Sequence, residues 1–314
     1  MLRVTAAAAA LAVFASACTS SAAAPTTTVE AATATLTPLT TLVTLTPVTP
    51  TTSTTGPPST TTTRPVPENE CEVASIAGVD GYAQGCTVLG IEVLAAAGVD
   101  PEAIRQLADR VHGMLVNRPE YAAAIASHPI GVRVIGADQR ITDLPEFTRI
   151  YFHHPGTDWH RLGRSFPGTE LIPYAAGAAE NLLCSDIDRF EGEDNFLRAF
   201  AITIRRYAMA AVDTATSRAI EQAYSIAIAE GKWTNTLAEI NSEQYWAEGV
   251  QSFFDANLQD NAQERKPISS HNHVNTREEL RTYDRALWEI AVSVFGDAEW
   301  RPGCGALISS EATS

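Results

Sequence analysis

Residues 18–67 consist mainly of threonine, with proline, alanine and serine between, and carry only two charged side chains, Glu30 and Arg64. A segment this poor in large apolar side chains cannot bury enough surface to offset the entropy lost on ordering, and its prolines hold it extended. The tract is expected to be a tether. It confines the folding problem to residues 68–314, long enough for one sizeable core. Coil statistics of about 5–6 Å × √n give such a tether a reach on the order of 40 Å, and a polyproline-like conformation extends it severalfold.

Residues 1–17 read as an address. Arg3 precedes an apolar run from Val4 to Phe14, too short to span a bilayer and of signal-peptide length. Ala15-Ser16-Ala17-Cys18 follows, and small residues before a cysteine resemble the lipobox of bacterial lipoproteins. That resemblance implies lipidation of Cys18 and anchoring on the outer face of a bacterial membrane, held stably because more than one acyl chain inserts. The other reading is an ordinary secretory signal cleaved after Ala17. With 22 basic against 37 acidic side chains and a net charge of -15, the chain is unsuited to nucleic acid, which is gripped by cations that neutralise phosphates.

Beyond Cys18, an even set remains: Cys71, Cys86, Cys184 and Cys304. In an oxidising compartment two disulfides are the default, and without a CxxC pair a cysteine metal site is disfavoured. Three pairings are possible; Cys71–Cys86 with Cys184–Cys304 is preferred, and the others stay open.

Asp100-Pro101 predicts a capped helix with Ile104, Leu107, Val111 and Met114 on its buried stripe. A second helix is expected over Glu120–Ser127 and a strand over Gly131–Gly136, whereas Thr142 to about Leu182, rich in Pro, Gly and His, reads as irregular loops. From Glu193 onward the pattern is helical. Phe196, Leu197, Phe200, Ile204 and Tyr207 line one helix, whose opening acids Glu191, Glu193 and Asp194 suit its N-terminal dipole. Further helices are expected over Asp213–Glu230 and from Leu237 to about Asn257, then one opened by the capping box Thr276-Arg277-Glu278-Glu279 and a last one from Asp284 to Gly296. The expected fold is α+β, mostly helical, with a small N-terminal α/β part and a helical C-terminal part.

Several runs occur together in a telling order: Arg118-Pro119-Glu120, Thr142-Asp143-Leu144-Pro145-Glu146, Glu180-Asn181-Leu182-Leu183-Cys184, Glu193 to Arg205, Tyr245-Trp246-Ala247-Glu248-Gly249-Val250-Gln251, and Asn275-Thr276-Arg277-Glu278-Glu279-Leu280. Their order and spacing resemble secreted zinc metallopeptidases of the gluzincin type, akin to the catalytic domain of anthrax lethal factor. The resemblance spans nearly all of residues 68–314 and implies a zincin-like fold. Such enzymes hold zinc with two histidines four apart on a helix and a glutamate from a later helix, while the glutamate after the first histidine activates water. On the matching positions this chain has Arg198, Ala199 and Ile202, and only Glu248 of the set remains.

The resemblance therefore implies a degenerate site with no catalytic residues, no metal and no cofactor. Arg198 is expected to fill the ion's space and pair with Glu248, with Ala199 and Ile202 adding apolar packing; the alternative points Arg198 to solvent beside Arg205 and Arg206. The seven histidines, at 112, 128, 153, 154, 160, 271 and 273, include no pair four apart; His271 and His273, on either side of Asn272, read as solvent-facing loop residues, the alternative being a two-histidine strand pair that binds metal. Neither a GxSxG nucleophile turn nor a Gly-rich phosphate loop is present. The expected function is that of a pseudo-peptidase surface lipoprotein binding a peptide, a protein or a cell-wall ligand. The alternative is an active hydrolase that uses a relocated metal or other residues of the same cleft, for example His153, His154 and Glu193. A purely structural envelope role is a third possibility.

Overall fold

A computed structural model describes residues 71–258, 271–297 and 299–303 of the chain. The signal region, Cys18 and the tether lie outside the described residues, as does Cys304. No helix among the described residues is long and apolar enough to cross a membrane.

The domain is α+β, as its sequence implies. Strands β1 (Ala74–Ser75), β2 (Gln84–Val88) and β3 (Ile91–Ala95) lead into helices α1 (Pro101–Leu115) and α2 (Pro119–Ser127), then strand β4 (Gly131–Ile135). Two 3-10 turns, Ile141–Asp143 and Pro145–Phe147, and the short helices α3 (Ile150–His153) and α4 (Trp159–Leu162) precede strands β5 (Ser165–Pro167) and β6 (Tyr174–Ala178) and helix α5 (Ala179–Leu182). The rest is helical: α6 (Asn195–Thr203), a π turn (Ile204–Met209), α7 (Ala210–Val212), α8 (Thr214–Ala229), α9 (Ser242–Phe253), α10 (Arg277–Tyr283) and α11 (Arg285–Phe295).

The six strands form one mixed sheet in the order β1-β2-β3-β4-β6-β5, parallel from β3 through β4 to β6 and antiparallel towards both edges. Alternation along the strands splits the core. Val93, Val132, Val134 and Ala175 join the large cluster with the long helices, whereas Leu94, Ile135 and Ala176 join a smaller one with Ile141, Leu144, Phe147, Ile150, Trp159 and Phe166. The β2–β3 hairpin turns on Leu89 and Gly90, both at positive φ (49° and 81°), the conformation a two-residue type I′ turn requires.

The stretch from Thr142 to Leu182, expected to be irregular, instead contributes two strands and several helical turns. β6 reads Tyr-Ala-Ala-Gly-Ala, which has little strand propensity; its place between β4 and β5 comes from tertiary burial of small residues. Gly177 in that strand lets α6 approach closely, since a Cβ there would lie 2.9 Å from Phe196. The single helix expected from Leu237 to Asn257 is instead a 3-10 turn, Leu237–Glu239, followed by α9. Asn241 separates them, its side chain accepting from the N–H groups of Glu243 and Gln244. The other expected caps form: Asp100 caps α1, the Thr276/Glu279 capping box opens α10, and Asp284 caps α11. Cys71 and Cys86 are joined, closing a separation of 15 residues. Cys184 is also disulfide-bonded, and Cys304, its expected partner, lies outside the described residues.

Gly249 packs α9 onto α11 so closely that a Cβ would lie 2.3 Å from a methyl of Leu287, itself fully buried. Gly249→Ala should therefore destabilise the domain by about 1–3 kcal/mol in denaturant unfolding. Unchanged stability would mean that α11 does not seat here.

Candidate functional site

Helices α6 and α9 pack against each other and bring Arg198 and Glu248 together. The start of α6 is tightly held. Asp194 caps it by accepting from Leu197 N–H (2.8 Å), and its other carboxylate oxygen lies 2.5 Å from Arg110 Nε in a fully buried ion pair. Asn181 fixes the preceding turn, donating to the Glu193 carbonyl (2.7 Å) and accepting from Asn195 N–H (3.0 Å). Trp246 of α9 donates its indole N–H to the Ala201 carbonyl (3.0 Å), locking the two helices in register.

Arg198 on α6 and Glu248 on α9 do face each other, with Arg198 Nε 3.8 Å from Glu248 Oε2. The contact is one of charge alone. Neither of those two atoms has a hydrogen-bond partner, and the far end of the guanidinium donates to Gln244 Oε1. Arg205 and Arg206 are engaged elsewhere, with Glu221 and Glu243 respectively. Ala199 and Ile202, on the same helix as Arg198, are both buried.

The stronger partner of Glu248 is His271. Its Nδ1 lies 2.6 Å from Glu248 Oε1, and its Nε2 lies 2.9 Å from Glu193 Oε2, so one imidazole bridges two carboxylates. Asn257 completes the set by donating to Glu248 Oε1 (3.0 Å). The expectation of a solvent-facing His271 is thus corrected: the residue is 5% exposed. Glu193, expected as a dipole partner of its helix, is likewise buried, and Asp194 alone performs the capping role.

Burial opposes the charged form of His271, but the adjacent charge of Glu248 and the hydrogen bonds to both glutamates outweigh it, and its pKa is pushed up to about 10. For Glu248, burial favours the neutral acid; the charge and hydrogen bond of His271, then Arg198 and Asn257, reverse that and hold it below the ordinary carboxylate range. Glu193, His271, Glu248 and Arg198 therefore form one chain of opposite charges, with Glu248 at its fully buried centre.

Zinc does not fit this arrangement. Arg198 and Ile202 offer no ligand, both ring nitrogens of His271 are occupied by carboxylates, and Glu248 Oε1 already accepts two hydrogen bonds. The remaining histidines are dispersed: His154 packs edge-on against Trp159 and Phe166, His273 against Tyr283, and His153 closes α3. Among the described residues no group of three His, Cys, Asp or Glu is placed to hold a metal ion.

Sequence reasoning missed His271, Asn257 and the inward turn of Glu193. The usable signal was Glu248 within an otherwise apolar helix stripe: a carboxylate buried in a core requires a counter-charge, and a histidine is a natural source. Comparison of the chain with protein-family models, with curated proteins and with solved structures finds no match.

Because the folded chain binds the His271 proton more tightly than the unfolded one, this stabilisation is complete below the ordinary value of 6.5 and is lost as pH rises through about 10. The contribution of Glu248, whose pKa is lowered, is present above its ordinary 4.5 and disappears as pH falls. Urea unfolding should thus show stability declining from pH 6.5 to 10. His271→Gln should remove that alkaline decline and, by leaving buried carboxylates uncompensated, cost about 3–5 kcal/mol at pH 6. The same alkaline slope in the variant would refute the clamp.

Proposed function

We propose that residues 68–314 form a zincin-like domain without catalysis, a pseudo-peptidase related to the zinc metallopeptidases, whose role is to bind a peptide, a protein or a cell-wall component. The observation that carries this reading is Glu248, the one residue kept from the ligand set, whose carboxylate is bound by His271 and Asn257 and faced by Arg198. A carboxylate whose Oε1 accepts two hydrogen bonds and whose Oε2 faces a guanidinium has its charge balanced by the protein's own side chains. The helices that would bear the metal ligands are nevertheless packed as a site requires, with Arg198, Ala199 and Ile202 on one and Glu248 on the other.

The location we propose follows from the first 67 residues. Lipid at Cys18 would hold the chain on the outer face of a bacterial membrane, and the Thr/Pro tether would display the domain away from it.

Zinc titration with a peptidase screen tests the reading. The wild-type chain should take up no stoichiometric zinc and cleave no peptide. Restoring the ligand set with Arg198→His, Ala199→Glu and Ile202→His, together with His271→Ala to free Glu248, should yield a protein that binds about one zinc. Stoichiometric zinc with chelator-sensitive cleavage by the wild type would instead establish an active hydrolase. A folded restored variant that ignores zinc would remove the zincin-like assignment.

A further inference from the structure

Between the loop that follows β4 and helix α4 lies a cavity of about 280 Å³, whose lining includes Asp138, Arg140, His160, Arg164, Ile187 and Arg189. That is slightly under the roughly 300–1,000 Å³ of whole small-molecule sites and suits the end of a longer ligand. Arg164 and Glu180 form part of its wall and satisfy each other. Both are buried, and two parallel bonds of 2.6 and 2.5 Å join them.

The other two arginines of this lining differ from the rest of the domain. Most arginines among the described residues hold a carboxylate at ion-pair distance, as Arg110, Arg133, Arg164 and Arg206 do. Arg140 and Arg189 hold none. Arg189 reaches the His160 carbonyl, at 3.4 Å, and the Arg140 guanidinium makes no hydrogen bond among the described residues. Both residues are exposed, so their donors are open to a solute. Two further hollows lack such a pair. In one of about 670 Å³ beside the end of α6, the lining arginine, Arg206, is held by Glu243 and the Gly168 carbonyl; another of about 340 Å³, beyond the ends of β3, β4 and β6, is lined by no arginine or lysine.

Charge selects the ligand. Asp138 lines the same cavity and has no cation at ion-pair distance, while the charge of Glu180 is cancelled by Arg164. With histidine uncharged, two guanidiniums against one carboxylate leave a single positive charge uncommitted. A cation would add to that excess, and an apolar group would strip water from three charges and return nothing. A doubly charged phosphate overshoots the balance. A carboxylate meets it, and its two oxygens match the planar fork of a guanidinium. Asp138, which can only accept, then suits a ligand that carries an N–H beside its carboxylate.

We infer that this cavity captures the C-terminal carboxylate of a peptide, gripped by Arg140 and Arg189, with Asp138 accepting the N–H of the terminal residue. Ile187, 62% exposed and part of the same lining, offers apolar surface to the peptide's side chains. The assignment rests on the reading of the domain as a binding module and deepens it by naming a free peptide terminus as the ligand.

Isothermal titration of the mature full-length chain with acetyl-trialanine tests it, with the C-terminal amide of the same peptide and inorganic phosphate as the other arms. Saturable binding of the acid is expected at millimolar concentration, with the amide at least about tenfold weaker. Arg140→Gln and Arg189→Gln should each weaken the acid about tenfold, and Asp138→Ala should weaken it as well. Neither arginine variant should melt lower than wild type, because neither guanidinium holds a carboxylate of the protein. No saturable binding of the acid, equal binding of the amide, binding unmoved by both arginine substitutions, tighter binding without Asp138, or phosphate held more tightly than the acid would each overturn the assignment. Peptide cleavage with carboxylate binding intact would instead overturn the pseudo-peptidase reading and leave this site standing.

Discussion

A fully buried carboxylate is tolerable only beside a counter-charge, and in this domain Glu248 is fully buried. Its neutralisation by His271 is the interaction on which the rest of the interior depends. The imidazolium joins the turn before α6, the middle of α9 and the segment leading to α10, three stretches remote in sequence. Each ring nitrogen has one acidic partner, so the ring is oriented as well as charged. Arg198 adds a looser attraction from the side. The result is a cluster of opposite charges within a domain whose α9 also buries Tyr245, Trp246 and Phe253.

The surrounding scaffold is organised by a few similar devices. Arg110 reaches from α1 to Asp194 and so ties the first crossover helix to the start of α6, while Gln251 of α9 donates to the Asp194 carbonyl at 3.0 Å. Arg164 grips Glu180 through two parallel bonds of 2.6 and 2.5 Å and also donates to the Gln139 and Gly136 carbonyls, joining the loops that leave β4 and β6. Buried ion pairs of this kind add little net stability compared with apolar packing, but losing one partner is costly. They therefore act to hold the segments in one arrangement, and the α6–α9 contact inherits that precision.

Local chemistry made much of the helical part readable. Asp100-Pro101, the Thr276 box and Asp284 announce helix starts because a side-chain oxygen next to free N–H groups stabilises them wherever they occur. The sheet was less readable. Its parallel centre is covered on both faces, so β6 shows no alternation, and its Ala and Gly residues are there to admit α6. The break before α9 depends on one asparagine whose capping role resembles any polar residue in a helix-like pattern. Within the site, the Arg198–Glu248 juxtaposition was expected only from the positions matched by the metallopeptidase resemblance, and the His271 bridge was not expected at all, since a loop histidine carries no periodicity.

The sequence by itself determined the acidic balance, the helix starts and the lack of any two histidines four apart, because composition and neighbouring residues are sufficient for each. Only the tertiary structure decided which cation neutralises Glu248 and how Glu193 turns inward. Those outcomes depend on distances between segments far apart along the chain and on the low polarity of the space between them, quantities that arise only when the chain has closed on itself.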